Sequence, residues 1–371
     1  MNDRAWVEIN LENLNHNVEV LNAALPEGCQ LMAVVKANGY GHGSEGIAMQ
    51  LEKLGVTAFA VATIDEGIAL RQSGIRSEIL ILGYTDSHRA GELSAFNLMQ
   101  TIVSYEHALN LAQEGYHIKV HIKIDTGMHR LGFDYFDIDK VAACFSLRYL
   151  RVAGIFSHLC VSDSLDTQDV EFTHIQISRF YNLLEELSSK GIDIPKTHLQ
   201  SSYGLLNYPE LKCNYVRAGV ALYGVHSSQD IQTKLQLDLR PVLSLKSRIV
   251  QIRTVSAGEA VGYGRSYITQ KQTRLAIVPI GYADGIPRSL SGKDICVLIN
   301  GYPVPIVGRI CMDQLTVDVS AVPDVALYDE VTLIGQDKGR EIKAVELAEK
   351  AGSITNELLS RIGRRLGIVM K

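Results

Sequence analysis

Residues 31–43 read Leu31-Met32-Ala33-Val34-Val35-Lys36-Ala37-Asn38-Gly39-Tyr40-Gly41-His42-Gly43. Five apolar residues in succession, rich in valine, predict a strand buried on both faces. The run stops on a lysine; a glycine-rich loop follows, then an amphipathic stretch carrying Ile47, Leu51 and Leu54. A lysine at the mouth of a buried strand loses hydration, which lowers its pKa and frees its amine as a nucleophile. Schiff-base chemistry needs such an amine. The plainer reading is a strand-end lysine whose ammonium reaches back to water. The strand pattern alone leaves both open.

Outward from this stretch one unit recurs. Short apolar runs at 31–35, 58–61, 78–82, 100–103, 119–124, 152–157, 197–200 and 215–216 predict strands. Helical patterns at 44–54, 65–72, 87–93, 105–113, 136–145 and 172–188 follow most of them, and the last two intervals are less clearly helical. Eight β-α units predict an N-terminal (β/α)8 parallel barrel with its chemistry at the strand C-terminal ends. An open doubly wound sheet is the runner-up, but no G-x-G-x-x-G turn follows an early strand. Near Pro241 the pattern changes to short β-rich runs at 242–255, 274–280, 295–299, 304–307, 314–319 and 330–334. Asn300-Gly301 between two of them is a type I′ hairpin signal. The expectation is a barrel domain over 1–240 and a mostly antiparallel domain over 241–371. A first strand near 5–9 is free to pack on the second domain. Asn10 caps a helix through Leu21, and 343–350 and 355–366 have helical patterns.

Composition narrows the function. A chain of 371 residues with a net charge of -5 and no Lys/Arg-rich block gives no reason to expect nucleic acid. No apolar run approaches a membrane span, and the first residues lack a signal-peptide core. The six cysteines (29, 144, 160, 213, 296, 311) are dispersed with no CxxC pair, so no zinc site or disulfide framework is expected. A reducing compartment fits best.

The strand ends carry Lys36, then Lys123 with Asp125 and Arg130, then His158, Ser201 and Ser202, and Arg217. Each alone is an ordinary solvated loop residue. As a set they describe a polar pocket at the barrel mouth. The turns at Ser201-Ser202-Tyr203-Gly204 and Arg217-Ala218-Gly219-Val220 offer hydroxyls and free N–H groups that suit a phosphate.

Val34-Val35-Lys36-Ala37-Asn38-Gly39-Tyr40-Gly41-His42-Gly43 resembles the pyridoxal-phosphate lysine signature of the alanine racemase family. Lys123-Ile124-Asp125-Thr126-Gly127-Met128-His129-Arg130 is similar to the segment whose arginine positions the substrate carboxylate; the lysine seven residues earlier is carbamylated in some members. By the same resemblance His158 lies under the pyridine ring. Tyr40, Ser202, Gly219 and Val220 hold the phosphate, and Arg217 faces the pyridine nitrogen. A guanidinium keeps its proton, so that nitrogen would stay unprotonated. The cofactor would then be a weak electron sink, which favours return of a proton to the same carbon over transamination.

Racemisation needs a proton donor-acceptor on each face of the α-carbon. Lys36 serves one. Tyr263, in Gly262-Tyr263-Gly264-Arg265, resembles the family's catalytic tyrosine, although by pattern alone it is a hairpin aromatic. A phenol needs nearby cations to act as a base, and His158 and Arg217 are the candidates. Ile280-Gly281-Tyr282-Ala283-Asp284-Gly285 and Gly308-Arg309-Ile310-Cys311-Met312-Asp313-Gln314 are also close to family signatures. The resemblance implies that Tyr263, Tyr282, Cys311, Met312 and Asp313 reach the pocket of the partner in a head-to-tail homodimer.

One departure stands out. Where alanine racemases read Thr-Ile-Asn-Tyr-Glu, this chain has Ser353-Ile354-Thr355-Asn356-Glu357. Asn356 in place of the tyrosine resembles the racemase domain of the membrane-bound serine racemases of vancomycin-resistance clusters. The resemblance implies a cytoplasmic chain, downstream of a membrane domain in such proteins, that racemises serine as well as alanine for peptidoglycan precursors. A plain alanine racemase, a non-catalytic pyridoxal-phosphate carrier and a fold-related decarboxylase are the alternatives.

Overall fold

The computed structural model describes residues 4–363 and 365–371. Eight parallel strands, Gln30–Val34, Ala58–Val61, Glu78–Ile81, Met99–Ile102, Ile118–Asp125, Leu150–Phe156, Lys196–Ser201 and Tyr215–Ala218, close into a barrel. Closure is made by pairing of the last strand with the first, Val216 opposite Leu31. The open doubly wound sheet is therefore excluded.

Side-chain parity explains why the barrel strands read as continuous apolar runs. Along the first strand Leu31, Ala33 and Val35 join the core under the outer helices, while Met32 and Val34 join a smaller cluster with Ala58, Ala60, Leu80, Met99 and Tyr215. Successive side chains alternate between faces, so this second cluster is the barrel interior. Lys36 continues the inward series of Met32 and Val34 one step past the strand.

A second sheet runs in the order Gln251–Val255, Thr273–Val278, Leu315–Asp318, Tyr302–Val307, Cys296–Ile299, Glu330–Asp337, Leu243–Arg248, Ala5–Ile9 and Gly367–Met370. Its pairings are antiparallel except that between Ala5–Ile9 and Gly367–Met370. Asn300 and Gly301 both have positive φ, 53° and 82°, as a type I′ hairpin requires. Asn10 caps the first helix, Leu11–Ala24, its side chain accepting from the Asn13 N–H.

Two expected elements differ. The run 242–255 breaks into Leu243–Arg248 and Gln251–Val255 where the chain changes partner: Ile249 still bonds Tyr328 and Asp329, while the Val250 N–H donates to the Ile277 carbonyl. The helix expected over 355–366 ends at Ser360. Gly363 follows with φ 107°, outside helical space, and the chain then pairs as a strand with Ala5–Ile9. Among the described residues no helix is long and apolar enough to cross a membrane.

Candidate active site

The inward parity of four strands delivers the site. His121 and Lys123, Phe156 and His158, His198 and, past a bulge, Ser201, and Tyr215 and Arg217 repeat what Met32, Val34 and Lys36 do on the first strand. Lys36 enters a strained loop. Ala37, Asn38, Gly39, Tyr40 and Gly41 have φ of 52°, 53°, 61°, 53° and 81°, a turn of left-handed backbone. Left-handed helix costs roughly 1–2 kcal/mol for each non-glycine residue, so surrounding contacts must impose it. The Glu66 carboxylate accepts from the N–H groups of Ala37 and Ala62, each at 2.7 Å. Asn38 Oδ1 accepts from Ser44 N–H. Buried His42 donates from Nδ1 to the carbonyls of Gly39 and Tyr40, and its ring stacks 4.3 Å from Tyr223. A Cβ on Gly41 would lie 2.1 Å from the Leu359 carbonyl oxygen, so glycine there lets the helix Thr355–Ser360 seat against the loop. The turn carries Tyr40 back across the mouth, where its hydroxyl would sit 2.8 Å from a Cβ on Gly219.

Lys36, Tyr40, Arg130, His158, Ser202, Arg217, Gly219, Val220 and Asn356 all line one cavity of about 460 Å³. Lys36, Lys123, Arg130 and Arg217 place four cationic side chains on its wall against one carboxylate, Asp163, among the described lining residues. Such an excess favours an anionic ligand. It also acts on the lysines. Burial lowers the pKa of Lys36, aided by Arg130 and Arg217 and opposed by Glu66. Burial, then Arg130 and Arg217, bring Lys123 down to about 8. The amines are thereby moved toward the neutral, nucleophilic form.

Arg217 is 4% exposed, and burial lowers its pKa only to about 10, so it remains a cation at neutral pH. It donates to the carbonyls of Ser157 and Leu199 at 2.8 and 3.0 Å and to His198 Nδ1 at 2.7 Å. His198 Nε2 in turn meets His121 Nδ1 at 2.8 Å. Since a guanidinium only donates, His198 must accept at Nδ1 and donate from Nε2. Gly154 makes room for this chain: a Cβ there would lie 2.4 Å from the His121 ring. The Phe156 ring lies beneath both Arg217 and Lys123, at 5.2 and 5.9 Å.

The expectation that His158 contributes positive charge is not met. Burial and then Arg217, Arg130, Lys123 and Lys36 hold its pKa well below the usual value, leaving it neutral at pH 7. Ser202 is set up as a donor. Its Oγ accepts from the N–H groups of Gly219 and Ala221 at 3.0 and 3.3 Å, which leaves the hydroxyl proton for a ligand.

Tyr263, Tyr282, Cys311, Met312 and Asp313 lie elsewhere. Tyr263 sits at the tip of the hairpin formed by Ala260–Val261 and Tyr267–Ile268, and 70% of its surface is exposed. A Cβ on Gly262 would lie 3.3 Å from Arg309 N, which ties the hairpin to the strand leading into 311–313. Tyr282 and Ala283 donate their N–H groups to the carbonyls of Cys311 and Met312, both at 3.0 Å. Buried Asp284 locks this double loop: it accepts two hydrogen bonds from Arg4 and one from Gly281 N–H, and meets Arg365, which also bonds Asp313. Tyr282 and Met312 nevertheless remain exposed. None of these five side chains lines the cavity of its own chain.

Several residues at the site escaped sequence reading. His198 and His121 were available from inward parity on strands already identified. Glu66 shows locally only as the capping-box partner of Thr63, and its bond to Ala37 N–H, like the roles of Tyr203 and Ser227, comes from contact between distant segments.

Comparison with known proteins agrees with this geometry. The alanine racemase N-terminal domain family matches residues 9–227, and the alanine racemase C-terminal domain family matches residues 242–370. An amino-acid racemase of Enterococcus faecalis is 53% identical over 369 residues, covering 100% of this chain and 52% of its own. A serine/alanine racemase of Enterococcus gallinarum is 41% identical, covering 99% of this chain and 52% of its own. The chain thus spans about half the length of these two curated relatives. The solved structure of the alanine racemase of Clostridium difficile 630 superposes with a TM-score of 0.93 at 36% identity, covering 100% of this chain and 96% of that one. With both domain families matched in order along one chain, this protein belongs to the alanine racemase family.

Proposed function

We propose that the chain is a pyridoxal-phosphate-dependent racemase that interconverts the L and D forms of serine and of alanine. The observation that carries this reading is a cation-rich cavity joining a nucleophilic lysine, a guanidinium fixed at its base and an asparagine on its wall. The residues present suit the cofactor. The excess of positive charge on the wall matches an anionic cofactor, the Ser202 hydroxyl has its proton to give, and Gly219 leaves the space beside Tyr40 that a side chain would fill. Lys36 would hold it covalently; Tyr40, Ser202, Gly219 and Val220 would take the phosphate, His158 the ring face and Arg217 the ring nitrogen. When bound, pyridoxal phosphate supplies the electron sink that makes the α-proton of an amino acid labile.

The chain's own residues then govern the protons. Arg217, spending donors on Ser157, Leu199 and His198, stays protonated and can only donate, which keeps the group facing it an acceptor. Lys36 Nζ takes or gives the α-proton on one face. On the other, Tyr263 Oη of a second copy acts in the same way, so each site draws on two chains. With His158 neutral, Arg217 supplies the positive charge at this end of the cavity. Arg130 orients the substrate carboxylate. Lys123, with a pKa of about 8, has enough neutral amine to add carbon dioxide, and the carbamate would give Arg130 an anionic partner.

Asn356 favours serine as a substrate beside alanine. Its amide is shorter than a phenol and adds polar groups, while an alanine-shaped pocket would reject an added hydroxyl only modestly. The kinship with a serine/alanine racemase supports this. D-Serine and D-alanine from a cytoplasmic enzyme would enter peptidoglycan precursors, and D-serine in particular serves vancomycin resistance. The test is kcat/KM for L-serine and L-alanine on one preparation, with Asn356→Tyr beside it. Comparable turnover of both, with selective loss of serine in the variant, is expected. Alanine turnover alone would make the chain an alanine racemase. No turnover of either with cofactor bound would make it a carrier.

A further inference from the structure

Asn356 can recognise different groups depending on which end of its amide faces the cavity. Oδ1 only accepts and Nδ2 only donates. A neighbour anchors one end of the amide and leaves the other free. The Ser227 hydroxyl donates to Asn356 Oδ1 at 2.9 Å, and both side chains line the cavity. Nδ2 has no protein partner among the described residues, so the amide presents its donors to the open space.

Ser227 is itself held firmly. Its N–H donates to the Tyr203 hydroxyl at 2.7 Å. Its carbonyl accepts from the Thr355 N–H at 3.0 Å and from the Thr355 hydroxyl at 3.2 Å, and Thr355 is fully buried. The segments at 227 and at 355–356 are thus clipped together at three points, one of which anchors the Asn356 side chain at the cavity wall.

From this geometry we infer that Ser227 is a positioning residue for substrate choice: it holds Asn356 so that Nδ2 donates to the side-chain oxygen of serine, a group alanine lacks. The inference rests on the proposed racemase reading and adds the residue that orients its specificity group. Without the Ser227 hydroxyl the Asn356 side chain loses its anchor on the cavity wall. The donor then faces the substrate only part of the time, and Tyr203 and Thr355 remain in place.

The experiment compares Ser227→Ala, Ser227→Thr and Asn356→Asp with the wild-type holoenzyme. One readout is the ratio of kcat/KM for L-serine to that for L-alanine, with kcat and KM separated. The other is calorimetric binding of α-methyl-L-serine against 2-methylalanine, two ligands that cannot lose an α-proton and differ by one hydroxyl. One hydrogen bond corresponds to roughly a three- to tenfold change. Ser227→Ala and Asn356→Asp should lower both ratios by about that factor, through KM for the kinetic one, and Ser227→Thr should keep them. Unchanged ratios in Ser227→Ala overturn the inference. So does an equal loss for both amino acids accompanied by weaker pyridoxal-phosphate binding, which would assign the Asn356 donor to the phosphate. If the wild type does not turn over serine, the functional reading fails instead, and the calorimetric ratio still decides the role of Ser227.

Discussion

The barrel mouth and the exposed loops of the second domain hold the two halves of the proposed chemistry, and they are built in opposite ways. At the mouth, Arg217 is buried and bonded to two carbonyls and a histidine, and Lys36 follows a turn pinned from several sides. In the loops, Asp284 is equally buried and bonded, yet the side chains it supports, Tyr282 and Met312, face outward, as does Tyr263. One region is finished within the chain. The other is a rigid frame presenting apolar and phenolic groups that have nothing to meet until another surface arrives.

The largest expected effect tests whether that surface is a second copy. Lys36→Ala and Tyr263→Phe should each lower racemisation by about 10³-fold, the size of a lost nucleophile or general base. Co-expressed, they should recover about a quarter of wild-type activity, because half of random dimers are mixed and each carries one intact site. Failure to recover would mean that Lys36 and Tyr263 do not act across chains, and the contrast between the regions would lose its functional meaning.

A smaller effect separates their structural weight. Arg217→Met strands two buried carbonyls and a ring nitrogen, and should cost about 3 kcal/mol in urea-unfolding free energy. Tyr263→Phe changes an exposed hairpin tip and should stay within about 0.5 kcal/mol. Equal losses would show that the hairpin is already engaged in the free chain.

The smallest effect concerns pH. Lys123 titrates near 8 in the folded chain and at 10.5 when unperturbed. Between those values the unfolded chain binds more protons, so stability rises with pH. Lys36 is shifted in the same direction. Urea midpoints of the cofactor-free chain should gain about 1–2 kcal/mol from pH 7.5 to 9.5, and Lys123→Met should flatten the rise. The loop region should respond in the same direction but in the acid range. Burial would raise the pKa of Asp284, but the hydrogen bonds from Arg4 and Gly281 outweigh it and leave the pKa lowered. Its contribution is therefore present above the ordinary carboxylate range and is lost as pH falls through the depressed folded value.

Much of the barrel was legible because its strands obey local rules. Valine-rich runs, alternation and polar strand ends identify Lys36, Lys123, His158 and Arg217 without knowledge of their neighbours. Legibility failed where distant contacts override local preference. Ala37 and Tyr40 adopt left-handed backbone that neither residue favours, held by Glu66 and His42. The last strand, Gly367–Met370, follows a run with a helical pattern over 355–366 and is defined only by Ala5–Ile9 set beside it. His158 reads as a cation from its type and becomes neutral only through the charges assembled around it.

The pairing of Ala5–Ile9 with both Leu243–Arg248 and Gly367–Met370 sets a timetable for synthesis. At 5–20 residues per second the last of these strands leaves the ribosome roughly 20–70 s after the first. The barrel strands emerge earlier and pair mostly with sequence neighbours, so the cofactor cavity can form while Trp6, Val7 and Ile9 still wait for their partners. The second domain closes last, and with it the surface that would recognise another chain.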